Sequence, residues 1–245
     1  MLIKMVSKNY KSDLDDVFKK FKKFADANQY YRQEKDKIES ATRTSINQTV
    51  SASSASDEKR QELLSDAREN ADKAASILLR VHHRLVNDYG RFWRQDIITH
   101  QFFAIPEQEI VEAFSVLAAL NEAPIPTSTI HFRMREPGEF ERSEATLTVS
   151  GEAYVFGLLD CVGELARMIQ DSPKNNKTEF LKQIFKQMEE LYAKLERFKE
   201  FPNRTDLKYL ETHKTKNFAH LKSRIDTCAG QVRRCKQLLH DSGIL

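Results

Sequence analysis

The chain is poor in everything that interrupts a helix. Its 245 residues include only 7 Gly and 6 Pro, too few for the turn-rich course of a β-sandwich or barrel. Cys161, Cys228 and Cys235 are an odd set without a CxxC pair, which argues against a disulfide framework. No apolar run approaches the length of a membrane span. The opening "MLIKMVSKNYKSDLDD" lacks the apolar stretch and cleavage-like site of a secretory signal. A soluble intracellular protein with reduced thiols is therefore expected. The formal charge of +3 is too small for a globally basic nucleic-acid binder, so an anionic partner must be held by a local patch.

What is present is helical periodicity. Charged residues make up 31% of the chain, and apolar positions recur every three or four residues between them. A first helix is expected from Ser12 onward, through "VFKKFKKFADANQYYRQEKDKIE". The stretch 40–56, "SATRTSINQTVSASSAS", reads as a linker or a frayed helix. Leu63, Ala67, Ala71, Ala74, Leu78 and Leu85 share a stripe on the next helix. Another helical region runs from about Tyr89 to Leu120, interrupted at Pro106. Residues 121–150, with Pro124, Pro126 and Pro137, read as a long loop containing a short extended piece. Helices follow over 151–171 and from about 176 to Pro202. Phe218, Leu221, Ile225, Cys228, Val232, Cys235 and Leu239 then form a heptad seam ending near Gly243. The fold expected is an all-α bundle of six to seven helices. Its two parts are 1–56, an N-terminal helix with the linker, and 57–245, the helical domain.

Two short segments carry the chemistry. In "QEIVEAF" (108–114), Glu109 and Glu112 lie three apart, and in "GLLDCVGELAR" (157–167), Asp160 and Glu164 lie four apart. Each pair therefore shares one helix face. Gly157 and Gly163 would let a neighbouring helix approach beside the second pair. Four carboxylates in one low-dielectric space repel one another, and a divalent cation relieves that conflict. Oxygen ligands suit Mg²⁺ or Mn²⁺, and a carboxylate-held Mg²⁺ supports phosphodiester hydrolysis. Acidic pairs at such spacings are also common on solvated helix faces, so spacing alone leaves both readings open.

"YGRFWRQDIITHQFF" (89–103) interleaves aromatics with Arg91 and Arg94. Trp93 and its neighbours could stack on unpaired bases while the arginines meet phosphates, or could simply be core. Cys161 has no histidine paired with it and reads as a buried thiol. His82, His83 and His131 read as ordinary residues.

The motifs "QEIVEA" (108–113) and "YVFGLLDCVGELAR" (154–167) resemble those of the translin family, on the side of its Trax subunits, which carry the full acidic set. The resemblance covers about 57–245. A second alignment places "FKKFADANQYYRQEKDKIESATR" on the family's first helix, with 47–70 inserted. It implies an Mg²⁺-dependent endoribonuclease subunit cleaving single-stranded RNA, with Glu109, Glu112, Asp160 and Glu164 as catalytic and metal-binding residues. Arg91, Trp93 and Arg94 would contact RNA. It further implies translin subunits as partners in a hollow hetero-octamer, no membrane partner, and a cytoplasmic and nuclear location. The roles implied are removal of nicked passenger strands in RNA silencing and processing of tRNA-leader fragments. A translin-like scaffold that binds single strands without cutting them is the alternative. A di-iron carboxylate bundle is disfavoured because no Glu-x-x-His pair is present. Pro106 departs from the family, which has an uninterrupted helix ahead of the ExxE pair.

Overall fold

In the computed structural model, six α-helices and one β-hairpin make up the regular structure of the described residues. Those residues are 2–99, 104–134, 143–172, 178–200 and 215–245; the backbone alone is described for most of 2–24, for 89–99 and for 215–220. Helices α1 (Leu2–Ser54) and α2 (Asp57–Thr99) form a long antiparallel pair. Helix α3 (Ala104–Leu120) leads into strands β1 (Thr129–Met134) and β2 (Ser143–Thr148). Helices α4 (Gly151–Asp171), α5 (Thr178–Glu196) and α6 (Thr215–Asp241) complete the bundle, with a 3₁₀ turn at Arg197–Glu200 after α5. No helix of the described residues is long and apolar enough to cross a membrane.

The stretch 40–54 is not a linker but the C-terminal third of α1. Polar side chains can be buried there because each finds a local acceptor. Thr49 donates to the Ser45 carbonyl at 2.8 Å, the back-bonding that hydroxyls make inside helices. Ser45 instead donates across to the Ala67 carbonyl on α2, at 2.7 Å. Facing these small side chains are Ala67, Ala71, Ala74 and Ala75, all fully buried. Small residues on both helices allow close axes, which is why this low-hydrophobicity segment is ordered.

Pro106 falls in the first turn of α3, where its missing N–H breaks no helical hydrogen bond. The same helix ends on a left-handed residue, Glu122 at φ 56°, with Ala123 N–H donating to the Ala118 carbonyl at 2.9 Å. Arg60 reaches over from α2 to the Leu120 carbonyl, at 2.9 Å, and so satisfies another terminal acceptor. Beyond it, the expected loop contains the antiparallel hairpin. Ile130 pairs with Leu147, and these two with Phe132 turn one face of the ribbon into the core.

From Leu221 to Leu239 the heptad seam of α6 is internal. Cys228 Sγ lies 3.5 Å from the Leu159 carbonyl and Cys235 Sγ 3.8 Å from that of Ala166. The two contacts are seven residues apart on both helices, so α6 runs in register with α4. Gly243, at φ 66°, ends α6 and turns Ile244 back into the core.

Candidate functional site

Helices α3 and α4 cross at the acids. A Cβ on Gly157 would stand 2.5 Å from the Gln108 carbonyl oxygen and 2.6 Å from the Val111 Cβ, so only glycine permits this approach. Gly163 is different, because a Cβ there would meet nothing closer than Gln231 Nε2 at 3.7 Å. One of the two glycines therefore sets the crossing.

The start of α4 is fixed from α3 as well. Ser150 caps α4, its side chain accepting from Ala153 N–H at 3.3 Å. Its own N–H donates to Glu107 Oε2 at 2.9 Å. Glu107 is buried and stands in the first turn of α3. A structural carboxylate thus ties the heads of the two acid-bearing helices together, two residues before Glu109.

Glu112, Asp160 and Glu164 line one open groove of about 650 Å³, walled on its far side by α6. Glu112 is half-buried there, and its carboxyl is pushed up to about 8. Burial is the main cause, followed by the like charges of Asp160, Glu164 and Glu109, while Arg224 opposes them. Asp160 is raised by burial and held back by Arg224 and Gln108. Its Oδ1 lies 2.8 Å from Arg224 Nη2, and its Oδ2 accepts from Gln108 Nε2. Glu164 is likewise raised by burial, with Arg167 opposing; the Arg167 Nη2 is 2.7 Å from its Oε2.

Glu109 is the exception among the four. It turns towards α1, where Thr42 Oγ1 donates to its Oε2 at 2.9 Å. Burial raises its carboxyl too, and Glu39 adds to the rise. It acts on the groove only as a neighbouring charge.

The donor set is one of carboxylate oxygens, the ligand type of a hard divalent cation. Glu112 shows the mutual repulsion that such an ion would relieve. As placed, however, no three His, Cys, Asp or Glu side chains of the described residues come together as a metal-holding group. The acids are instead balanced by cations and an amide of the chain itself: Arg224, Arg167 and Gln108. The donor chemistry fits an ion, with Arg224 standing where one would share Asp160.

Arg91 and Arg94 flank Trp93 near the end of α2, and the side chains of all three lie outside the described residues. Sequence reading missed Arg224, Gln108, Glu107 and Thr42. Gln108 adjoins the acidic pair and was legible as a neighbour. Arg224 comes from a helix about sixty residues further along, where nothing in its local sequence marks it. Cys161 is fully buried, and burial pushes its thiol well up, as a packing residue requires.

A family model described as the Translin family matches residues 26–244. Three solved structures share the fold across 94% of this chain. A complex of AfC3PO with duplex RNA superposes with a TM-score of 0.65 at 19% identity, over 96% of its own chain. AfC3PO alone gives 0.64 at 19%, over 97% of its chain, and apo-NeC3PO gives 0.55 at 16%, over 96%. Comparison with curated proteins finds no match.

Proposed function

Since this chain belongs to the translin family, we propose that it is an RNA-binding subunit whose α3–α4 groove hydrolyses phosphodiester bonds of single-stranded RNA with Mg²⁺ or Mn²⁺. The observation that carries this reading is the placement of Glu112, Asp160 and Glu164 around one open groove, with Glu112 pushed up by burial first and then by its like-charged neighbours. These three residues would hold the ion. When bound, it would activate water and steady the charge that develops on the phosphate. Glu109, turned to Thr42, is assigned to the same catalytic set as a charge beside it.

The remaining work falls to the chain's own groups. Arg167 and Arg224 edge the groove with positive charge, which draws a phosphate backbone in against the acids. Arg91, Trp93 and Arg94 are assigned to the RNA path. Hydrolysis of this kind needs no 2′-hydroxyl nucleophile and leaves 5′-phosphate and 3′-hydroxyl ends. An RNA complex of AfC3PO, a protein of this fold, supports RNA as the ligand. Translin-type subunits are the proposed partners, in a hetero-octamer of the cytoplasm and nucleus acting on passenger strands or tRNA-leader fragments.

The test is cleavage of labelled single-stranded RNA by the full chain co-purified with a translin-type subunit, with Mg²⁺ and with chelator. Cleavage that needs the ion and is lost in Glu112→Gln, while assembly persists, supports the proposal. Undiminished cleavage by that variant refutes the site. A second reading, the non-catalytic scaffold, is favoured by one feature: the acids already have partners in Arg224, Arg167 and Gln108. RNA retention without turnover at millimolar Mg²⁺ would establish it.

A further inference from the structure

Arg224 enters the groove from α6, opposite the two helices that carry the acids. It is tied to Asp160 Oδ1 at 2.8 Å and keeps 40% of its side-chain surface in water. Its guanidinium lies over the Phe156 ring, 5.1 Å from the centroid, an attraction that holds the side chain on the rim. Asp160's other oxygen is taken by Gln108. An arginine cannot shed its charge, so it can make way for a second cation only by moving. A long, half-exposed side chain held by one carboxylate oxygen and a ring face can do that without disturbing the backbone.

We infer that Arg224 is the exchangeable counter-charge of the acidic groove: it neutralises Asp160 while the groove is free of divalent cation and leaves Asp160 when a cation enters. The inference rests on the cation-dependent reading above and adds its regulation. Arg224 and the ion compete for Asp160 and repel each other across a short distance of partly buried space. Removing the arginine therefore tightens ion binding. The groove of the ion-free protein at the same time loses its only cation from α6 among the described lining residues.

The experiment titrates Mn²⁺ into the full chain by calorimetry, without RNA, for the unaltered protein, Arg224→Gln, Arg224→Lys and Arg233→Gln. Arg233 is exposed on the same helix, so its loss changes net charge equally but away from the groove. Circular dichroism confirms the fold of each variant. Arg224→Gln should bind Mn²⁺ about tenfold tighter or more, Arg224→Lys should fall between, and Arg233→Gln should match the unaltered protein. In chelator, Arg224→Gln should also melt at a lower temperature and recover when Mn²⁺ is added. If the unaltered protein binds Mn²⁺ and Arg224→Gln binds it equally or more weakly, the counter-charge role is refuted and the ion site stands. Equal tightening by Arg233→Gln refutes it as well. If none of the four proteins binds Mn²⁺, both the inference and the ion site fall.

Discussion

Replacing Glu112 with Gln should stabilise the ion-free protein, and increasingly so as pH rises. The carboxyl is raised from 4.5 to about 8 in the folded chain. Between those values the folded state holds a proton that the unfolded state has released, so stability falls as pH rises through this window and is level above it. Each pKa unit is worth about 1.4 kcal/mol, so the penalty above pH 8 reaches at most about 5 kcal/mol. Gln keeps the shape and abolishes the charge. In chelator, unfolding by urea from pH 5 to 9 should give curves that nearly meet at the acid end and diverge towards pH 8. A saturating divalent cation should narrow the gap, because the ion does for Glu112 what the substitution does. Asp160 and Glu164 are raised in the same direction, so the variant should keep a shallower slope of the same sign. Parallel curves for the two proteins would refute the repulsion argument and, with it, the reason given for cation capture.

Other substitutions probe the frame. Gly157→Ala should cost about 1–3 kcal/mol by driving α3 off α4 and should abolish RNA cleavage along with it; a stable, active variant would show that the crossing is not set there. Glu107→Ala leaves the Ser150 N–H without its buried acceptor and should lower stability by about 1–3 kcal/mol, most of it restored by Glu107→Gln; equal melting curves for Ala and Gln would dismiss this tie. Ser45→Leu inserts bulk where the side chain is fully buried against α2, and a loss of about 1–3 kcal/mol is expected, whereas a linker would tolerate the change.

Beyond 57 the helical character was readable because apolar positions recur every three or four residues, and the seam from Phe218 to Leu239 is the plainest case. The boundaries were not, since α2 runs unbroken past Tyr89 to Thr99 and Pro106 lies inside α3 rather than at a break. The first helix was readable only to about residue 39. After that, Ser and Thr are held by back-bonding and by alanines of another helix, a tertiary arrangement without local signature. The family match from residue 26 takes in this segment. Strand β2 was hidden because the stretch 121–150, with Pro124, Pro126 and Pro137, read as one long loop with a single extended piece, although "ATLT" already alternates. At the site, spacing put Glu109 with Glu112 and Asp160 with Glu164, and Gly157 pointed to a close neighbour. It could not foretell that Glu109 would turn to Thr42, because the residue facing it sits 67 positions away. Arg224 was hidden for the same reason.

The central claim is that α3 and α4 together offer one carboxylate site to a divalent ion. Anomalous scattering from crystals soaked in Mn²⁺ addresses it without reference to turnover. A manganese peak contacted by Glu112, Asp160 and Glu164, with Arg224 withdrawn from Asp160, is the result predicted. A groove with no manganese density at saturating concentration, and Arg224 still paired to Asp160, would contradict it.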